Sequence, residues 1–214
     1  MTSVVADCLI KQGYVQINLT HPFTYVSGLQ GPIYCDNRQI WSEVADRNLV
    51  LQKMLELIQA TFDPRALASA KIVGMATGGI PLATLVADRM NLPLAYIRGQ
   101  KKGHGQGRRL EGRVQSGDQV ILVEDLINQG SSIISAIEEL QQERIKILGV
   151  TAIVSYQMPA ALEKFKAYDF PIKALASFND LQQAALAQNF MTPDQQTSLA
   201  QWHAHPEQWP RPQD

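Results

Sequence analysis

Residues 120–132, VILVEDLINQGSS, end an apolar run with two adjacent carboxylates, Glu124 and Asp125, and follow them with Leu126, Ile127 and a short polar loop, Asn128, Gln129, Gly130, Ser131 and Ser132. A glycine-containing loop that opens a helix points several free backbone N–H groups at one spot, where the helix dipole also favours an anion. Such a loop can cradle a phosphate. Carboxylates just upstream would repel that phosphate, but they can accept hydrogen bonds from the vicinal hydroxyls of a ribose. Together these features fit a sugar phosphate. The same spacing also fits a plain strand-to-helix turn, with Ser131 or Ser132 as the N-cap and both carboxylates solvated, and one glycine loop does not separate the two.

Two further segments carry candidate chemistry. Thr77, Gly78 and Gly79 lie between an apolar run at 71–76 and a helix opened by Pro81, and would form a second turn of free amides. A bland turn is the commoner occupant of that pattern. Residues 98–113, RGQKKGHGQGRRLEGR, hold six cations, Arg98, Lys101, Lys102, Arg108, Arg109 and Arg113, against one acid, Glu111; the local charge is +5 and the other 198 residues carry −6. Five glycines between 99 and 112 leave this segment no apolar side to pack. It reads as a substrate-facing loop whose field suits a pyrophosphate. An RNA-binding patch is the rival reading, weakened because no aromatic ring is interleaved for base stacking.

Cys8 and Cys35 have no neighbouring Cys or paired His to suggest a zinc site, and a chain of 214 residues needs no disulfide staple. His203 and His205 have the spacing of a metal pair, but beside Trp202, Trp209 and a Pro-rich, frayed end they read as surface histidines. No metal motif is expected. The usual nucleotide, protease and hydrolase signatures, G-x-x-x-x-G-K-[ST], G-x-G-x-x-G, H-E-x-x-H and G-x-S-x-G, do not occur.

The elements that must position these residues follow from hydrophobic patterning. Runs at 71–76, 92–98, 119–125, 145–154 and 171–177 are short, β-branched and nearly continuous, as strands covered on both faces would be. Between them, Ile133, Ile134, Ile137 and Leu140 form one helical stripe in 131–143, with Glu138, Glu139, Gln141 and Gln142 outside it. Val44, Leu51, Met54, Leu55 and Ile58 form another in 43–60. Alternating strand and helix implies an open α/β sheet of parallel strands with right-handed crossovers, whose ligands sit beyond the carboxyl ends of the strands.

The predicted organisation is a single domain: an N-terminal hood region at 1–42, an α/β core at 43–178 and a C-terminal helical segment at 179–214. The turn-rich stretch 14–41 contains two strand-like pieces, Thr24–Ser27 and Pro32–Asp36. In 180–205 one or two helices are expected, with Thr192-Pro193 as a start. Length, 45% hydrophobic residues and a net charge of −1 exclude a disordered or fibrous chain and a global field that would recruit nucleic acid. No apolar run approaches the roughly 18 residues of a membrane helix and the start lacks a secretory pattern, so a cytoplasmic location is expected.

VEDLINQGSS resembles the phosphoribosyl pyrophosphate (PRPP) signature of the type I phosphoribosyltransferases. FTYVSGLQGPIYCDNR at 23–38, VGMATGGIPLATLVADRMNLPLAYIR at 73–98 and KKGHGQGRRLEG at 101–112 resemble the orotate-using branch of that family, particularly its Gram-positive bacterial form. With the signature these segments cover most of residues 20–155. The resemblance implies a type I phosphoribosyltransferase fold, a parallel sheet flanked by helices with a small N-terminal hood, and transfer of ribose 5-phosphate from PRPP to orotate in pyrimidine biosynthesis. It implies catalytic roles for Arg98, Lys102 and His104. PRPP would be bound by Glu124 to Ser132 together with Thr77 and Gly78, and orotate by Tyr34, Cys35 and Asn128. Mg²⁺ bound mainly through PRPP is implied as cofactor, and a homodimer sharing the 99–112 loop as the assembly.

The chain departs from that pattern at three places. Gly99 and Gln100 stand where relatives usually carry a further Lys, and Asn128 and Gln129 stand where the signature has Thr or Ser. The long Gln129 amide could add a donor to the 5′-phosphate or fill its site. The second function left open is a binding or RNA-regulatory protein of the same fold with little turnover.

Overall fold

The computed structural model describes residues 3–25, 30–99 and 109–209. In chain order it contains helix α1 (Val4–Lys11), strands β1 (Val15–Ile17), β2 (Phe23–Thr24), β3 (Gln30–Gly31) and β4 (Ile33–Cys35), and a 3-10 turn at Asn37–Ser42. Helices α2 (Val44–Thr61) and α3 (Pro64–Leu67) lead to β5 (Ala70–Met75), α4 (Gly79–Met90), β6 (Leu94–Ile97) and β7 (Leu110–Glu111). Then follow β8 (Gln119–Ile127), α5 (Ser131–Gln142), β9 (Lys146–Ser155), α6 (Pro159–Phe165), β10 (Ile172–Ser177), α7 (Phe178–Ala187) and α8 (Pro193–Ala204).

The five apolar runs are the five parallel strands of one sheet, ordered β10-β9-β8-β5-β6, with β7 added antiparallel to β6 at the edge. Both faces are covered, which is why the runs are continuous rather than alternating. Along β8, Ile121 and Val123 face a core shared with α1, α2, α4, α7 and α8, while Val120 and Leu122 face a second core under α5. The period-two alternation therefore separates two apolar faces. Among the described residues no helix is long and apolar enough to cross a membrane.

The hood is made of two small antiparallel pairs, β1 with β4 and β2 with β3. Its predicted strand pieces shrink to Phe23–Thr24 and Ile33–Cys35, and the Ser27 end of the first lies outside the described residues. Helix α1 precedes it and is built into the main core through Val5, Ala6, Leu9 and Ile10. Ser3 caps that helix and also donates to the Leu175 carbonyl of β10 at 2.8 Å. The C-terminal stretch forms two helices, each opened by a reciprocal capping box, Ser177 with Asp180 and Thr192 with Gln195.

One predicted cap is corrected. Neither Ser131 nor Ser132 is the N-cap of α5; both are its first helical residues, and Gly130 occupies the cap at φ 73° with no side-chain cap bond. The chain leaves β8 through a left-handed residue, and a Cβ on Gly130 would stand 2.6 Å from Cζ of Phe165. Glycine is thus required twice over.

Candidate active site

Because β5 and β8 are parallel neighbours, the turns that follow them lie side by side beyond the carboxyl edge of the sheet. They touch. A Cβ on Gly78 would collide with the Asp125 carboxylate, so the first turn meets the acidic pair without a side chain between them. The Ala76–Thr77 peptide is cis. Helix α4 begins at Gly79, with Pro81 in its first turn.

The second turn opens on a cavity of about 630 Å³ lined by Thr24, Tyr25 and Tyr34 of the hood, by Glu124, and by every residue from Leu126 to Ile133. With no side chain capping α5, its first amides are left to face that space, and the helix dipole adds to their attraction for an anion. Asn128 places a buried carbonyl oxygen here that has no hydrogen-bond partner among the described residues. Such an atom favours a ligand that brings a donor. A second cavity of about 610 Å³ lies beyond Phe165, at the ends of β9 and β10, away from the acidic pair and the cradle.

Glu124 is not a carboxylate solvated at a strand end, whereas Asp125 keeps partial exposure. Both lie within β8, and Glu124 is only 8% exposed. Its Oε1 accepts the Asp125 amide at 2.9 Å, while Oδ1 of Asp125 accepts the Leu126 amide at 2.9 Å. Burial, then the hydrogen bond and charge of Asp125, push the Glu124 carboxyl well above the ordinary range.

The hood is joined to this strand by a residue that sequence reasoning did not single out. Asn37, 1% exposed, donates from Nδ2 to the Asp125 carbonyl at 2.7 Å and accepts from the Cys35 thiol at Oδ1, 3.0 Å. A buried amide satisfied on both sides in this way fixes the hood over the acidic pair. Burial and the nearby Asp125 and Asp36 push the Cys35 thiol far up, so it stays protonated and donates. Cys35 does not line the cavity, whereas Tyr34 does, its ring tilted against Phe23 with centroids 5.5 Å apart and its hydroxyl accepting from Arg38 at 3.3 Å. The only sequence signal for Asn37 was its place in the run Asp36-Asn37-Arg38.

The structure thus brings together Glu124 to Ser132, Tyr34, and the Thr77–Gly78 turn, with Cys35, next to Tyr34, outside the cavity lining. Arg98 is held at the end of β6, where its Nε pairs with Glu111 at 3.1 Å. Lys102 and His104 lie outside the described residues. The local charge of +5 expected for this segment includes the Glu111 that Arg98 faces, and it is reduced further because Arg109 faces Glu139 of α5 at 2.6 Å. Two charges are therefore compensated locally. His203 serves packing: it stacks on Phe178 with ring centroids 4.1 Å apart and its Nε2 lies 2.6 Å from the Tyr156 carbonyl oxygen.

Comparison with known proteins agrees with this geometry. The family model described as "Phosphoribosyl transferase domain" matches residues 41–182. An orotate phosphoribosyltransferase of Cytophaga hutchinsonii is 36% identical over 208 residues, covering 97% of this chain and 98% of the relative. The chain belongs to the orotate phosphoribosyltransferase family. Another member, from Enterococcus faecalis, is 37% identical over 205 residues, 96% of each chain. Among solved structures, orotate phosphoribosyltransferase from Aeropyrum pernix superposes with a TM-score of 0.71 at 28% identity, over 88% of this chain and all of that one. Leishmania donovani UMP synthase gives a TM-score of 0.74 at 25% identity over 92% of this chain and 42% of its own. The fold is that of the type I phosphoribosyltransferases.

Proposed function

We propose that the chain transfers the ribose 5-phosphate of PRPP to N1 of orotate, giving orotidine 5′-monophosphate and pyrophosphate for pyrimidine biosynthesis. The observation that carries this reading is the direct meeting of the Gly78 turn with Asp125 beside the α5 cradle. Two anion-binding turns flanking a carboxylate pair match a molecule with a phosphate at one end, a diphosphate at the other and vicinal hydroxyls between.

In this reading the residues from Asn128 to Ser132 hold the 5′-phosphate, with Leu126 and Ile127 beneath it. Glu124 and Asp125 accept from the ribose hydroxyls, and the amides of Thr77 and Gly78 face the pyrophosphate. As the C1–O bond breaks, its electron pair leaves with pyrophosphate, positive charge builds on the ribose, and N1 of orotate forms the new bond while its proton passes to the departing pyrophosphate. Donors that strengthen with the leaving charge lower that barrier. Arg98, Lys102 and His104 are assigned that role. Orotate is placed against Tyr34, Cys35 and Asn128, with the Cys35 thiol bonded to the Asn37 that also holds the Asp125 carbonyl.

Mg²⁺ would neutralise the departing diphosphate. The partly exposed Asp125 carboxylate beside the Gly78 turn offers oxygen donors that would suit a hard cation held chiefly through phosphate oxygens and water. A homodimer sharing the 99–112 segment is part of the same proposal and is tested by sedimentation. Gln129 on the cavity wall is the one observation that favours the rival reading, a binding protein with little turnover. Incubating the chain with PRPP, Mg²⁺ and orotate separates the two, since only an enzyme consumes orotate.

A further inference from the structure

Helix α8 follows the last strand of the sheet, yet its buried residue Trp202 reaches the hood wall of the cavity. Trp202 is 2% exposed and belongs to the main core, where its ring centroid sits 5.9 Å from that of Phe178. The next residue, His203, fastens the helix to the sheet. Its ring stacks on Phe178 and, since a carbonyl can only accept, its Nε2 donates to the Tyr156 carbonyl at 2.6 Å. Tyr156 directly follows β9, and its own amide donates to the Ile127 carbonyl of β8 at 2.9 Å. Trp202 is thus held in register with the two strands that lead to the cradle.

On its other side Trp202 meets the hood at Gly31 of β3. A Cβ on Gly31 would stand 2.7 Å from Cζ2 of Trp202 and would collide with the Tyr25 hydroxyl, so the absence of a side chain lets strand, indole and phenol close on one another. The Tyr25 hydroxyl donates to the Ile33 carbonyl at 2.5 Å, and burial pushes its titration far up, so it stays protonated. That bond fixes β4 one residue ahead of Tyr34, and Tyr25 and Tyr34 both line the cavity. The indole N–H of Trp202 is buried with no hydrogen-bond partner among the described residues, so the ring acts through its shape and not through a bond. We propose that Trp202 is a positioning residue for the base end of the site: through Gly31 and Tyr25 it sets the tyrosine wall of the hood at a fixed distance from the Asn128 wall, and so sets the width of the slot that takes a planar pyrimidine carboxylate. It touches no substrate itself. The inference rests on the proposed transfer to orotate and adds the element that governs the fit of the base.

The test compares wild type with Trp202→Phe, Trp202→Ala, Gly31→Ala and Tyr25→Phe. PRPP affinity and the number of competent sites are read by calorimetry, and the orotate KM and kcat per competent site are measured at saturating PRPP. Trp202→Ala and Gly31→Ala should each raise the orotate KM about 5-fold or more, while the PRPP Kd and kcat change less than about 3-fold. Trp202→Phe, which keeps a smaller ring, should fall between wild type and Trp202→Ala. Tyr25→Phe, which keeps the ring but frees the Ile33 carbonyl, should raise the orotate KM as well, and joined to Trp202→Phe it should give less than the product of the two single effects, because both act on one contact. If the orotate KM is unchanged and only the Tm falls, Trp202 is merely structural and the inference is wrong; Trp202→Phe decides this if Trp202→Ala does not fold. Equal rises in the orotate KM and the PRPP Kd would mean that the whole site has loosened, and the inference is again wrong. A wild type that binds PRPP but forms no product removes the proposed function first, and the inference with it.

Discussion

At the scale of single residues, Glu124 and Gln129 carry the sharpest consequences. Burial and Asp125 raise the Glu124 carboxyl, so the empty folded protein keeps a proton there at pH values where the unfolded chain has lost it. The folded state then binds more protons than the unfolded one, and stability falls as pH rises through the raised value. Glu124→Gln should flatten that fall in a denaturation series across pH. Ribose hydroxyls favour the ionised form, so PRPP binding within that window should release a proton. Calorimetry in buffers of different ionisation enthalpy should show this as a buffer-dependent heat that Glu124→Gln abolishes; a buffer-independent wild type would contradict the ribose assignment. For Gln129, the open, cavity-lining position favours an amide that donates to the phosphate, and Gln129→Thr should weaken PRPP binding by roughly 0.5–1.5 kcal/mol. Tighter binding with a rise in turnover would mean that Gln129 blocks the site. The acidic pair and the loop were legible from spacing because both belong to one continuous segment. Asn37 was not, since its importance is a contact with Asp125, 88 residues away.

At the scale of elements, the continuous apolar runs predicted the five parallel strands to within about two residues, because strands buried on both faces need no alternation to be recognised. The pattern missed β7, whose two residues are paired by the neighbouring β6 and have no apolar run of their own. It also missed α1, though Ser3 ahead of Val5, Ala6, Leu9 and Ile10 is a capped amphipathic turn that could have been read. The wrong cap on α5 has a physical cause: a serine just inside a helix looks like a cap unless the preceding glycine is known to be left-handed. That geometry is testable. Gly130→Ala forces a side chain to φ 73° and against Phe165, and should cost about 1–3 kcal/mol in urea unfolding. Combined with Phe165→Leu, which relieves the contact, the loss should be less than additive; simple additivity would show that the ring is not what Gly130 avoids.

At the scale of the whole molecule, the fold places two turns proposed to bind anions and an acidic pair, of which Glu124 is buried, at one edge of the sheet, under a hood pinned by Asn37 and beside a basic segment whose roots are tied by Glu111 and Glu139. Those ion pairs were invisible in the charge pattern, because sequence counts cations without showing which acid each one meets. If Lys102 and His104 meet the leaving pyrophosphate, Lys102→Ala and His104→Ala should lower kcat by at least about 10²-fold with little change in Tm. Unaltered turnover in both would remove the segment from the mechanism. The central claim is phosphoribosyl transfer itself, and the most direct measurement follows orotate absorbance in the presence of the purified chain, PRPP and Mg²⁺. Phosphoribosyl transfer predicts loss of orotate matched one for one by orotidine 5′-monophosphate and pyrophosphate, and dependence on both Mg²⁺ and PRPP. Unchanged orotate absorbance from protein that calorimetry shows to bind PRPP would contradict it.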